Sequence, residues 1–166
     1  MEETWSKLDN AAKIYPATVN ARNTTLFRVE VTTIETVEPN LLQQAVDEIM
    51  PRFPYFQVHL KRGLFWYYFK KVDKRVKIQE DKYYPCTEYS FKKSKYLFSL
   101  KYSNNRIALE FSHSITDGAG ALEFMKALLY RYYSAKNVPI MDKGEIKVPG
   151  EKIDPGEYTD AFKHFY

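Results

Sequence analysis

Residues 106–112 read Arg-Ile-Ala-Leu-Glu-Phe-Ser, with Ile107, Leu109 and Phe111 at alternate positions. A period of two is that of a strand with one inward face. Over residues 119–133 the period changes. Leu122, Met125, Leu128, Leu129 and Tyr132 recur there at the spacing of one helical face. Between the two patterns lie His113, Ser114, Ile115, Thr116, Asp117 and Gly118, with Gly120 just beyond. A histidine, an aspartate and two glycines therefore fall on one strand-to-helix turn. No other stretch of the sequence gathers so much reactive chemistry.

The remaining patterns set this junction in an α/β chain. Residues 24–37, rich in Val, Thr, Ile and Phe, predict a long strand. Pro39 opens a helix in which Leu41, Leu42, Ala45, Val46, Ile49 and Met50 keep helical spacing, and Pro51 and Pro54 end it. Residues 57–60 and 64–72 predict a hairpin turning at Lys61, Arg62 and Gly63. Residues 75–80 read as a short strand. Residues 96–102 and 106–112 form a second predicted hairpin, with Ser103, Asn104 and Asn105 between its strands. The order strand, helix, several strands, helix is that of a two-layer α/β sandwich, a mixed β-sheet with helices packed on one face. It is not the strict alternation of βαβ units.

A chain of 166 residues is one domain by size and long enough to bury a core. Its 45% hydrophobic and 28% charged content marks it as globular. The 16% aromatic content suits pleated surfaces. A net charge of +4 fits an anionic ligand without requiring one. Cys86 is the only cysteine, so no disulfide can form within the chain. The first ten residues lack the basic and apolar regions of a signal peptide, and the longest apolar run, residues 64–69, is far too short to span a bilayer. The expectation is a cytoplasmic protein without a membrane partner.

Residues 137–156 hold Pro139, Gly144, Pro149, Gly150, Pro155 and Gly156 among charges and read as a linker. An amphipathic stub follows at 157–166, with Tyr158, Phe162 and Phe165 near one helical face. The expected organisation is a domain at 1–136, then 137–166 as a linker leading into a further half-domain, in a truncated chain.

The run from His113 to Gly118 resembles the HxxxDG signature of the CoA-dependent acyltransferase superfamily, which includes chloramphenicol acetyltransferase, peptide-synthetase condensation domains, plant-type acyltransferases and alcohol acetyltransferases. The opening Trp5-Ser6-Lys7-Leu8-Asp9-Asn10-Ala11-Ala12 and the stretch Leu26-Phe27-Arg28-Val29-Glu30-Val31 are similar to the start of bacterial alcohol-acetyltransferase-like members. The resemblance covers nearly the whole chain, but only the N-terminal half of such a protein. It implies the chloramphenicol acetyltransferase-like half-domain fold.

It further implies that His113 is a general base, taking a proton from an alcohol or amine acceptor that attacks the thioester of an acyl-CoA or carrier-bound acyl group. A histidine suits this because its ordinary pKa, about 6.5, leaves a neutral fraction at cell pH. By the same resemblance Asp117 is structural, turned from solvent and paired with an arginine, Arg28 or Arg22. Gly118 and Gly120 let the backbone turn and approach the neighbouring strand. No cofactor is bound permanently; acyl-CoA is the co-substrate, and the residues that hold it are not identified. The expected partners are the acyl thioester, the small acceptor and a C-terminal half-domain. The face meant for that half is expected to support self-association. Ser112 stands where condensation domains carry a second histidine, which favours the alcohol-acetyltransferase or plant-type branches. The family's second signature, an Asp-Phe-Gly-Trp-Gly-like run, belongs to the other half and is absent from these residues.

Other readings are weaker. His113 and Asp117 are too few to hold a metal, and His59 and His164 lack ligand spacing. Ser112 and Ser114 flank His113, and neighbouring side chains point apart, so they build no triad with it. A lone buried cysteine such as Cys86 is more often inert packing than a nucleophile. Gly118-Ala119-Gly120 begins a dinucleotide loop whose third glycine would fall at Glu123. The basic-aromatic stretches 61–71 and 91–102 admit nucleic acid, yet a hairpin with one buried aromatic face and a solvated lysine edge accounts for them, and no nucleic-acid partner is expected. The rival class is a non-catalytic binding module that keeps the fold and offers this aromatic-basic surface to a protein or nucleic acid. An acyltransferase half differs from it in leaving the His113 ring accessible.

Overall fold

A computed structural model describes residues 5–7, 24–64, 66–87, 96–142, 144–154 and 157. In chain order the elements are β1 (Trp5–Lys7), β2 (Leu26–Thr32), α1 (Pro39–Ile49), β3 (Val58–Arg62), β4 (Tyr67–Lys71), β5 (Gln79–Glu80), β6 (Phe98–Ser103), β7 (Arg106–Ser112) and α2 (Gly118–Ala135). The larger sheet runs β2-β7-β6-β5, antiparallel except for the parallel pair β5–β6. The smaller runs β1-β4-β3 and is antiparallel throughout.

Alternation decides which face of the larger sheet the helices cover. Ile107, Leu109 and Phe111 of β7 and Phe98 and Leu100 of β6 point to one side and are buried there. Leu42, Val46 and Ile49 of α1 and Phe124, Leu128 and Tyr132 of α2 meet them. Phe56, in the 3-10 turn Pro54–Phe56, fills the end of this layer. Its ring centroid lies 5.0 Å from that of Phe111, which in turn stacks on Phe98 at 5.2 Å. Each fully buried ring of this kind contributes about 1.5–3 kcal/mol. The architecture is thus the expected two-layer sandwich: a mixed sheet with helices on one face. The helices are also tied directly, since the Glu38 amide donates to the Tyr132 hydroxyl at 2.9 Å.

The boundaries moved where local bonds outcompeted propensity. The strand expected over 24–37 stops at Thr32. The Thr33 amide donates to Asn105 O and its hydroxyl to Glu35 O, so the chain bends and Ile34 faces solvent. The first hairpin turns later than expected, because Lys61 and Arg62 remain paired in β3 and the Gly63 amide closes onto Trp66 O at 2.7 Å. The strand expected over 75–80 shrinks to its last two residues. In α2 the inward stripe passes through Ala121, Phe124, Met125, Leu128 and Tyr132. Leu122, expected on that stripe, lies about 100° round from Ala121 and is 50% exposed.

The smaller sheet builds a second, minor core from Leu60 and Leu97, with Val58, Tyr67, Phe69 and Ile115 against it. Ile115 packs on the main core as well.

Described residues between 137 and 154 form neither helix nor strand. They are nonetheless fastened to the body. Arg52, buried at the end of α1, grips Glu157 through both carboxylate oxygens at 2.8 and 3.0 Å, and Lys147 reaches the same carboxylate at 2.8 Å. The Arg52 guanidinium, helped by Lys147, holds the Glu157 carboxyl at about 2, below its ordinary 4.5. A depressed carboxyl stabilises the folded contact above its unfolded pKa and loses that contribution as pH falls through the folded one. Amide exchange across 144–154 is therefore expected to speed up as pH drops from 4.5 toward about 2, in excess of the intrinsic pH effect. Glu157→Gln should show the faster exchange already at neutral pH. The stub 158–166 lies outside the described residues. Among those described, no helix is long and apolar enough to cross a membrane.

Candidate active site

The turn after β7 is held by its own backbone on three sides. The Ser112 amide donates to Leu97 O at 2.8 Å, the His113 amide to Thr25 O at 3.1 Å, and the Ile115 amide back to Ser112 O at 3.1 Å. Ser112 and Ser114 turn inward, and their hydroxyls meet at 2.8 Å. The half-buried His113 ring rests on Phe27, with centroids 4.3 Å apart and planes tilted by 31°. Thr25, which receives the His113 amide, has φ +53°, a left-handed conformation rare for a β-branched residue.

Asp117 does not sit where the resemblance placed it. Its side chain is exposed and accepts from the Gly120 amide at 3.0 Å, capping α2. Arg28 is not its partner. Arg28 stands opposite Glu110 in the β2–β7 register, on the sheet face away from the helices. There its guanidinium binds Glu110 at 3.0 Å, Asp81 at 2.5 Å and Glu30 at 2.6 Å. Burial would lower its pKa, but the hydrogen bonds it donates to Asp81, Glu30 and Glu110 outweigh that and keep it charged. Arg22 lies outside the described residues. Among the described residues the turn is thus held by capping, and the Asp117 carboxylate is exposed.

The two glycines also differ from expectation. A side chain at Gly118 would meet nothing within 4 Å, so nothing described crowds it. A Cβ at Gly120 would stand 2.2 Å from the Thr116 hydroxyl oxygen, so the close approach is to the turn itself and not to a strand. Gly120→Ala should cost about 1–3 kcal/mol, the usual penalty of overpacking. Gly118→Ala should be neutral or slightly stabilising, since alanine is the better helix former. Paired urea melts of the two variants check this.

Sequence reasoning missed the charge cluster beneath the site. Glu110 is only 3% exposed and is shared by Arg28, by Lys101 at 2.8 Å and by the Cys86 amide at 3.0 Å. The Thr24 hydroxyl donates to Cys86 O at 2.8 Å. The cluster thus ties the crossover around 81–86 to the sheet and to the residue next to Thr25. Opposite charges on adjacent strands of one predicted hairpin, Lys101 and Glu110, were the available signal. The Cys86 thiol is pushed up by burial and then by the Glu110 charge, which makes it a poorer nucleophile. Among the described residues no group of three or more His, Cys, Asp or Glu is placed to hold a metal ion.

No protein-family model and no curated protein matches this sequence. Solved structures do. A mutant starter condensation domain of rhizomide synthetase superposes with a TM-score of 0.67 at 12% identity, over 90% of this chain and 40% of that one. Polyketide synthase associated protein 5 from Mycobacterium tuberculosis gives 0.59 at 17% identity, over 90% and 36%. Tallysomycin biosynthesis protein TlmII gives 0.62 at 10%, over 78% and 38%. The chain has a condensation-domain-like fold. It spans about two fifths of the length of these structures. One further rhizomide synthetase structure is a complex with C8-CoA and Leu-SNAC, an acyl-CoA and an aminoacyl thioester.

Proposed function

We propose that this condensation-like chain is one half of an acyltransferase, and that His113 is its general base. The observation that carries the reading is the half-exposed His113 ring on a turn braced by Thr25, Leu97 and the α2 cap, in a fold whose similar structures include one bound to an acyl-CoA and an aminoacyl thioester. His113 takes the proton from the acceptor's hydroxyl or amine. The freed electron pair attacks the thioester carbonyl, and the tetrahedral oxyanion expels the thiolate, which recovers the proton from the imidazolium. No acyl-enzyme is formed. Asp117 and Gly120 set the turn, and Arg28 holds the strand pair beneath it. Acyl-CoA is the co-substrate, and a C-terminal half-domain completes the tunnel. Ser112 beside His113 favours a small alcohol or amine acceptor over peptide condensation.

A thiol-release assay with acyl-CoA and a panel of small alcohols and amines tests this. Residues 1–166 alone should release thiol near background, because orienting two substrates and stabilising the oxyanion supply much of the rate. A protein carrying both halves should turn over. Robust His113-dependent turnover by 1–166 alone would show the site to be complete within this chain or between its copies. No release by the two-half protein with any acceptor would favour the binding-module reading.

A further inference from the structure

The β3–β4 hairpin has no part in the chemistry proposed above, and it is built unlike the rest of the surface. Residues 58–72 carry Lys61, Arg62, Lys70 and Lys71 and no acidic residue, so this one hairpin holds four positive charges in a chain whose net charge is +4. All four side chains are exposed, and among the described residues none forms an ion pair. Elsewhere most of the described cations are matched, Lys74, Lys77 and Lys152 excepted. Arg28, Arg52, Arg75, Arg131, Lys101 and Lys136 each meet a carboxylate.

The tip has a second property. Tyr67 and Phe69 are half-buried on the minor core, as a lysine-edged hairpin requires. Leu64 and Trp66 do not follow them. They stand at the turn 92% and 61% exposed, with Phe65 between them in sequence. An apolar tip with Lys61 and Arg62 beside it, and Lys70 and Lys71 further along β4 opposite His59 and Val58, is the composition of a hairpin that lies in the headgroup layer of a bilayer. Tryptophan favours that interface, and leucine gains by leaving water for the acyl boundary. Basic residues near an anionic surface each strengthen attachment by roughly fivefold. We propose that this hairpin docks the protein on an anionic lipid surface, with Leu64 and Trp66 inserted and Lys61, Arg62, Lys70 and Lys71 against the headgroups. No spanning helix is needed for such attachment.

Sedimentation of the full chain with two kinds of vesicle tests the proposal. One is phosphatidylcholine alone; the other mixes phosphatidylcholine with phosphatidylserine. The chain should pellet with the anionic vesicles and not with the neutral ones, and its tryptophan emission should shift to the blue on binding. Leu64→Ser with Trp66→Ser should abolish both effects. Lys61→Glu with Lys70→Glu should weaken binding at least twentyfold and leave circular dichroism unchanged. Equal binding to both vesicles, binding that survives the tip substitutions, or no binding at all would overturn it. So would tight binding to a single-stranded oligonucleotide that displaces the protein from vesicles without a blue shift being seen, since that assigns the same surface to nucleic acid. None of these outcomes depends on acyl transfer.

Discussion

Replacing His113 by alanine in a protein carrying both half-domains should lower kcat for acyl transfer by about 10²- to 10⁴-fold, the usual contribution of a general base. Folding should be nearly untouched. The ring is half-exposed and rests on Phe27, while the turn is held by its backbone, which alanine keeps. The control is Asp117→Ala. Loss of its bond to the Gly120 amide removes a helix cap, which costs about 0.5–2 kcal/mol and disturbs the aim of the turn. The two variants should therefore separate: the histidine change in rate at constant melting temperature, the aspartate change in both. Near-normal turnover by His113→Ala would retire the mechanism.

The largest effect on stability is expected at Glu110. Glu110→Ala strands the buried Lys101, takes one of three carboxylates from Arg28 and removes the acceptor of the Cys86 amide. Breaking a buried ion pair from one side costs about 3–5 kcal/mol, a large part of a typical domain's margin. The loss comes from stranded charge, not lost attraction, and that distinction is testable. Lys101→Met combined with Glu110→Leu strands no charge, because Arg28 keeps Asp81 and Glu30, and leaves only the Cys86 amide without its acceptor. The double variant should recover much of what the single one loses. Urea unfolding of wild type, single and double variants gives the answer. A single-variant loss below about 1 kcal/mol would mean that water reaches the cluster.

Much of the fold was legible because its patterns are long. Ile107, Leu109 and Phe111 alternate through a whole strand, and α2 keeps its period for five turns, so element types and order followed from periodicity. What failed was local or covered. Thr33 ends β2 through its own hydroxyl, which a strand-forming residue type conceals. Glu110 alternates outward and reads as a solvent-facing charge. It is buried only because the crossover around Asp81 and Cys86 lies over that face, and nothing in the strand reports the cover. Arg28 is one of two arginines, with Arg22, that the resemblance offers as the partner of Asp117, but its register opposite Glu110 places it on the sheet face away from the helices. At the site, the position of His113 on the strand-to-helix turn could be read from spacing. The bracing by Thr25 and Leu97 could not, since both contacts come from distant segments.

Ile115, two residues beyond His113, belongs to both hydrophobic cores. It packs on both from the turn that carries the histidine. The aim of the imidazole then depends on how the two cores seat on each other as well as on its own neighbours. Drift in either core, at Leu60 or Phe98 for instance, can retune the histidine without touching it. A sequence free to wander at the surface is held in step on both sides of this one side chain.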